Sequence, residues 1–309
     1  MKSFVCILFL VATTLSFAQK TKTTARDISI SAFVDGTILL PEGIEKPPIA
    51  IIIGGSGPTD RNGNQQMINN NSLKFLAEGL TNQGIATFRY DKRILKQMKN
   101  RTLTEEEISF EDFIEDATKV VNYFKRSNAF AKIYVIGHSQ GSLVGMVAAQ
   151  NGVDGFVSLA GAGQTIDNVI VDQLEQQAPG LKDNARQAFD DMRTNGFAID
   201  YSPGLASIFR KQIQPFMLTW MKYDPKSEIN KLDIPILIIN GDRDLQVQVS
   251  EAQKLKVAKS DAQLNIIPGM NHILKEITGD DIENSKSYNE PKHPVMPELI
   301  DLIGAFILE

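Results

Sequence analysis

"KIYVIGHSQGSLVGMVAAQ", Lys132 to Gln150, reads as an apolar run, then a G-x-S-x-G turn, then a helix of small and apolar residues. A serine between two glycines arises often enough by chance that the pattern alone carries little weight. Its setting carries more. When a buried strand feeds a sharp turn that opens a helix, the turn lifts a hydroxyl clear of the sheet. "KIYVI" supplies the strand and "SLVGMVAAQ" the helix, which makes Ser139 a candidate nucleophile and calls for a parallel sheet around it.

Such a sheet can be read outward in both directions. "IAIII" (Ile49 to Ile53) is a continuous apolar run ending at glycines, the mark of a strand covered on both faces. "GIATFRY" (84–90), "VDGFVSLAG" (153–161), "IPILIING" (234–241) and "AQLNIIPG" (262–269) repeat the pattern. Leu73, Leu76, Ala77 and Leu80 fall at helical spacing, as do Phe110, Phe113, Ile114, Ala117, Val120, Val121 and Phe124. The second set follows capping signals at Thr104-x-x-Glu107 and Ser109-x-x-Asp112. Upstream, residues 26–40 alternate around Asp35-Gly36, which predicts an antiparallel hairpin turning there. Alternating strand and helix predict an α/β layer fold: a mostly parallel central sheet opened by an antiparallel hairpin. Residues 165–231 break the alternation with amphipathic stretches alone, and are expected to form a helical cap over the strands' carboxyl ends, where open sheets bind ligands. The cap separates a core of residues 19–164 from its continuation at 232–309.

A serine hydroxyl needs a base within hydrogen-bond reach and a carboxylate to orient that base. His138 adjoins Ser139, but neighbours on a tight elbow point apart, so it reads as a packing or hydrogen-bonding residue. His272 follows the last strand directly, whereas His293 sits in the proline-rich "NEPKHPVMP"; His272 is the preferred base. The order nucleophile, acid, base directs the search for the acid to "INGDRDLQV", where Asp244 is favoured over Asp242. Acyl transfer also needs backbone donors for an oxyanion. Gln140, after the serine, offers one. Ser56, in "GGSGPTDRNGN" after the 49–53 strand, offers the other. That loop lacks the G-K-[ST] ending of a phosphate-binding loop and has no dinucleotide spacing.

The 309 residues are 42% hydrophobic and 22% charged, the balance of a globular protein. A net charge of −5 argues against nucleic acid as a partner, since neutralising phosphates takes clustered Lys and Arg. Residues 1–18 read as a cleaved signal peptide: Lys2, an apolar run from Phe4, and small residues at Ser16 and Ala18. The run is shorter than the ~20 residues of a spanning helix, so no stable membrane span is expected in the mature chain. A periplasmic or secreted protein is expected. With Cys6 inside the leader it would hold no disulfide and no thiolate metal site.

The chain resembles the α/β-hydrolase superfamily, and within it bacterial serine esterases with a serine-aminopeptidase-like hydrolase domain. The resemblance spans nearly all of the mature sequence and rests on "GGSGPTDRNGN" (54–64), "FRYDKR" (88–93), "GHSQG" (137–141), "GDRDLQV" (241–247) and "GMNH" (269–272). It implies the α/β-hydrolase fold, Ser139 as nucleophile, Asp244 as acid, His272 as base, Ser56 and Gln140 as oxyanion donors, and carboxylesterase activity on short acyl chains. Asp60 and Arg61 match the family loop and read first as its brace. "YDKRILKQM" departs from the "RGxGxS" continuation of related hydrolases and leaves the segment after Arg93 without an assignment.

The leading expectation is therefore a carboxylesterase that needs no metal or organic cofactor and acts on a small-molecule ester. A second is an exported peptidase or amidase acting on short peptides, with Glu175, Asp190 or Asp191 in the cap receiving the substrate amine. A third is a non-catalytic binding module on the same fold. Phe209, Phe216, Met217 and Trp220 are candidates to line the substrate pocket, and at helical spacing serve equally as core. Oligomeric state is not legible.

Overall fold

The computed structural model describes residues 22–309, so the expected signal peptide lies outside the described residues. In chain order the elements are β1 (Thr23–Ser29), β2 (Asp35–Pro41), β3 (Ile49–Ile53), α1 (Ser72–Asn82), β4 (Ala86–Tyr90), α2 (Arg93–Asn100), α3 (Phe110–Ser127), β5 (Ile133–His138), α4 (Gln140–Ala149) and β6 (Gly155–Leu159). Then come α5 (Ile166–Gln177), α6 (Lys182–Asn195), α7 (Ala206–Phe209), α8 (Gln214–Trp220), α9 (Pro225–Asn230), β7 (Ile236–Gly241), α10 (Val249–Ala258), β8 (Gln263–Ile267), α11 (Asp281–Ser287) and α12 (Pro297–Leu308).

The strands form one sheet in the order β1-β2-β4-β3-β5-β6-β7-β8. β2 runs antiparallel to both β1 and β4, and all neighbours from β4 to β8 are parallel. Successive side chains on a strand face opposite ways, so a strand covered on both sides is apolar along most of its length. β3 does this: Ile49, Ile51 and Ile53 join the core that includes Val120 of α3 and Val144 of α4, while Ala50 and Ile52 join the core of Leu76 (α1) and Ile303 (α12). β5 and β7 divide their residues between the same two cores.

Two local expectations need correction. The hairpin forms, but its turn spans residues 30–34, closed by Ile30 N–H donating to the Val34 carbonyl, and Asp35-Gly36 already belongs to β2. Gly36 is required for another reason: it pairs with Tyr90, and a Cβ there would stand 2.3 Å from the Phe88 ring. Of the two capping signals, Ser109 and Asp112 form a reciprocal box at α3, whereas Thr104 heads a single 3-10 turn (Glu105–Glu107) without a side-chain cap. The unassigned segment after Arg93 is α2. Arg93, 6% exposed, starts it and donates to both Asp116 oxygens at 2.7 and 2.8 Å, tying the helix to α3.

Between β6 and β7 lie only helices and single turns. α5, α6, α7 and α8 share a core of their own built around Val171, Phe189, Met192, Phe209 and Met217. α8 rests on the main body through Trp220, whose ring stacks on Phe110 at 5.5 Å, and α9 returns Ile229 to the sheet-side core. Among the described residues no helix is long and apolar enough to cross a membrane. Asp167, buried in the first turn of α5, accepts from Arg186 (2.8 Å) and Arg193 (2.7 Å) of α6. Burial alone would raise its carboxyl pKa, but the bonds from the two arginines and Thr165 outweigh burial and hold it below the usual value.

A depressed carboxyl contributes stability above its unfolded pKa and loses it as pH falls through the folded one. Asp167→Ala is therefore expected to cost about 2 kcal/mol at neutral pH by urea denaturation, and the deficit relative to wild type should shrink in acid.

Candidate active site

β5 ends at His138 and α4 begins at Gln140, leaving Ser139 alone to make the turn at φ 55° and ψ −123°. A side chain in that region costs about 1–3 kcal/mol. Surrounding bonds hold it there: Ser139 N–H donates to the Leu159 carbonyl of β6, and the Ser139 carbonyl accepts from Ser142 N–H, both at 2.9 Å. Neither motif glycine has a positive φ. They are glycines because backbones meet there: a Cβ at Gly137 would lie 2.2 Å from the Gly141 carbonyl, and one at Gly141 2.4 Å from the Ile53 carbonyl.

His272 stands after the turn that follows β8, with Nε2 3.1 Å from Ser139 Oγ and Nδ1 2.8 Å from Asp244 Oδ2. Asp244, on the loop after β7, spends its other oxygen on the N–H groups of Gln246 and Val247, each at 2.8 Å. Asp242 instead accepts from Gly269 N–H as a turn residue, and His293 pairs with Glu290. His138 lies with its Nε2 2.8 Å from the His272 carbonyl. Burial first, and the neighbouring His272 second, push its pKa down to about 4. It is therefore neutral at pH 7, and its Nε2–H donates to that carbonyl, fixing the backbone that carries His272.

The loop after β3 passes over the elbow at Gly55, where a Cβ would stand 3.2 Å from Ser139 Cβ. The Ser56 carbonyl is held by Thr59 Oγ1 and Gln65 Nε2, both at 2.8 Å, which fixes the peptide on which Ser56 sits. Asp60 accepts the N–H groups of Asn62 and Asn64, and Arg61 donates to Asp91 through Nε and Nη2 at 3.1 and 2.6 Å. Asp60 and Arg61 thus brace the loop rather than face the serine.

The sequence alone does not single out Lys92. It is buried, with Nζ donating to the Gly55 carbonyl at 2.7 Å and to Gln140 Oε1 at 2.6 Å, over the Phe113 ring. One amine thereby ties the glycine loop to the residue after Ser139. Burial lowers its pKa to about 7. Only its place between two strongly patterned segments could have flagged it, because its acceptors are a carbonyl and an amide far off in sequence.

Two cavities open at Ser139. One, of about 220 Å³, lies under α5 and is lined largely by apolar groups including Leu143, Ile166, Val169, Ile170 and Trp220. The other, of about 210 Å³, has His272, His138, Ser72 and Tyr288 in its wall. Ser56, Ser139 and Gln246 border both. Of the four residues expected to line the pocket, only Trp220 does. Phe209 and Met217 are buried in the core shared by α5–α8, Phe209 against Phe189 at 4.6 Å, and Phe216 packs on Phe110 and Phe113, because the helical spacing they share serves contact between helices. Of the three carboxylates expected to receive a substrate amine, Glu175 is bound by Lys182 (2.6 Å), Asp190 by Arg186 and Asp191 by Gln187, and none borders either cavity.

A family model described as "Serine aminopeptidase, S33" matches residues 70–196. Esterase EstD of Thermotoga maritima is 27% identical over 300 residues, covering 92% of this chain and 67% of its own. Among solved structures, Est1E from Butyrivibrio proteoclasticus superposes with a TM-score of 0.56 at 19% identity, covering 92% of this chain and 99% of that one. Proline iminopeptidase of Mycobacterium smegmatis does so with 0.54 at 12% identity, covering 92% and 98%. The fold is the α/β-hydrolase fold.

Between pH 7 and the ordinary amine value of 10.5, an unfolded chain would bind the proton that folded Lys92 has lost, so the contribution of Lys92 to stability rises with pH across that window. Lys92→Met is expected to flatten that rise in denaturation curves taken from pH 7 to 10. The same substitution should destabilise by about 1–3 kcal/mol near pH 10, by leaving Gln140 Oε1 and the Gly55 carbonyl without their donor.

Proposed function

We propose that the protein is a serine carboxylesterase in which Ser139, His272 and Asp244 act as nucleophile, base and acid. The observation that carries this reading is the His272 ring itself, bonded at Nε2 to Ser139 and at Nδ1 to Asp244 beside a backbone-strained elbow. The likeness to EstD agrees with it. Ser139 Oγ attacks the ester carbonyl while its proton passes to His272 Nε2, and Asp244 stabilises the imidazolium. The carbonyl oxygen, now negative, takes N–H bonds from Gln140, at the amino end of α4 where the helix dipole favours negative charge, and from Ser56. His272 then returns the proton to the alcohol oxygen as the C–O bond breaks. Water attacks the acyl-serine, giving its proton to His272, and the acid leaves as Ser139 Oγ recovers that proton. With residues 1–18 read as an export signal, the reaction would run outside the cytoplasm.

The apolar wall under α5 suits an acyl chain, and its modest volume favours short ones. Peptidase activity is the second reading, favoured by the description of the matching family model. A free amino terminus would need a carboxylate to receive it, and no residue that lines either cavity has one.

Ser139→Ala should lower p-nitrophenyl acetate and butyrate hydrolysis by about 10⁴-fold or more, and Asp244→Asn by about 10⁴-fold, in steady-state assays. Equal rates for wild type and Ser139→Ala would refute the proposal. Aminoacyl amides turned over faster than the acetate ester would move the reading to the peptidase.

A further inference from the structure

The two cavities differ in a way that the direction of proton transfer makes meaningful. When the tetrahedral intermediate collapses, the leaving oxygen must receive its proton from His272 Nε2. The departing alcohol therefore lies in whichever cavity has His272 in its wall. That is the 210 Å³ cavity beside the glycine loop; the 220 Å³ cavity under α5 has no contact with His272 and takes the acyl group.

The alcohol side is the polar one. Ser72 and Asn70 are each 2% exposed and border it. Asn70 Oδ1 accepts from Ser72 N–H, but among the described residues neither Ser72 Oγ nor Asn70 Nδ2 makes a hydrogen bond. The Tyr288 oxygen accepts from Gln246 Nε2 at 2.8 Å, which leaves its own O–H proton to spend. Burial raises the pKa of that phenol, so the proton stays on through neutral pH. Three side chains able to donate thus line a space of about 210 Å³, room for several water molecules. A purely apolar alcohol would displace water from these groups without replacing its hydrogen bonds, whereas hydroxyls would replace them.

We propose that this cavity is a subsite for a polyhydroxylated alcohol, so that the preferred substrates are short-chain acyl esters of a glycerol- or sugar-like alcohol. The proposal rests on the serine-esterase reading. Ser72, Asn70 and Tyr288 bind the alcohol hydroxyls, while Leu143, Ile170 and Trp220 enclose the acyl chain.

The test compares 1-butyrylglycerol with n-propyl butyrate, which share an acyl group and a three-carbon alcohol and differ in two hydroxyls, by titrating the acid released. Wild type is expected to show a kcat/KM for the glycerol ester at least about tenfold above that for the propyl ester. Ser72→Ala and Tyr288→Phe should each bring that ratio down several-fold, with the propyl ester as internal reference in each variant. A wild-type ratio near one with both esters hydrolysed overturns the subsite and leaves the esterase reading standing. A ratio above ten that neither variant alters overturns the assignment to this cavity. Failure to cleave either ester or p-nitrophenyl butyrate overturns the esterase reading itself, and the subsite with it.

Discussion

The end of β3 and the start of α4 approach so closely that nothing larger than hydrogen fits between them. The Ile53 and Gly54 carbonyls occupy the space a Cβ on Gly141 would need, at 2.4 and 2.6 Å, and Gly55 lies close against Ser139, where a Cβ would stand 3.2 Å from Ser139 Cβ. This contact lays the loop of residues 54–64 over the elbow and brings Ser56 to the amino end of α4. It also accounts for the strained serine. With glycines committed on either side to close approach, the one residue left to reverse the chain is the one whose hydroxyl must project, and the packed backbones around it bear the strain.

Around that contact, burial makes the buried bases less basic, and Asp244 is given N–H donors. Two buried nitrogenous side chains, Lys92 and His138, have their basicity lowered by burial to about 7 and about 4. Both donate to carbonyl or amide oxygens rather than to carboxylates. Isolated charge in such a place is expensive, which is why burial lowers the basicity of both groups. The histidine adjacent to Ser139 in sequence therefore acts on the distant one, through its main-chain carbonyl.

The sheet was legible because it depends on a repeating physical demand: a strand covered on both faces must be largely apolar, as β3, β5, β6 and β7 are, while β8 at the sheet edge is only partly covered. The residues meeting at Ser139 were legible as types and order, since the strand-end loops that carry Asp244 and His272 follow apolar runs that mark themselves. What stayed hidden depends on contacts without a period. Asp35-Gly36 has the composition of a turn, yet its glycine answers to the Phe88 ring of a neighbouring strand. Phe209, Phe216 and Met217 carry the spacing of a buried helix face, which cannot say whether that face meets a ligand or another helix. Lys92 joins a loop to an elbow through partners 37 and 48 residues away.

The sheet pairs Phe156 of β6 with Ile236 of β7 across the whole run of helices α5–α9. Such a pairing closes a long loop before it gains any contact, and non-local pairings of this kind are slow to form. The elbow and the glycine loop belong to segments made early, whereas Asp244 and His272 arrive only with β7 and β8. During synthesis Ser139 therefore precedes by a long interval the histidine and carboxylate it meets in the folded chain, and in the proposed reading an unfinished polypeptide has no base for its hydroxyl.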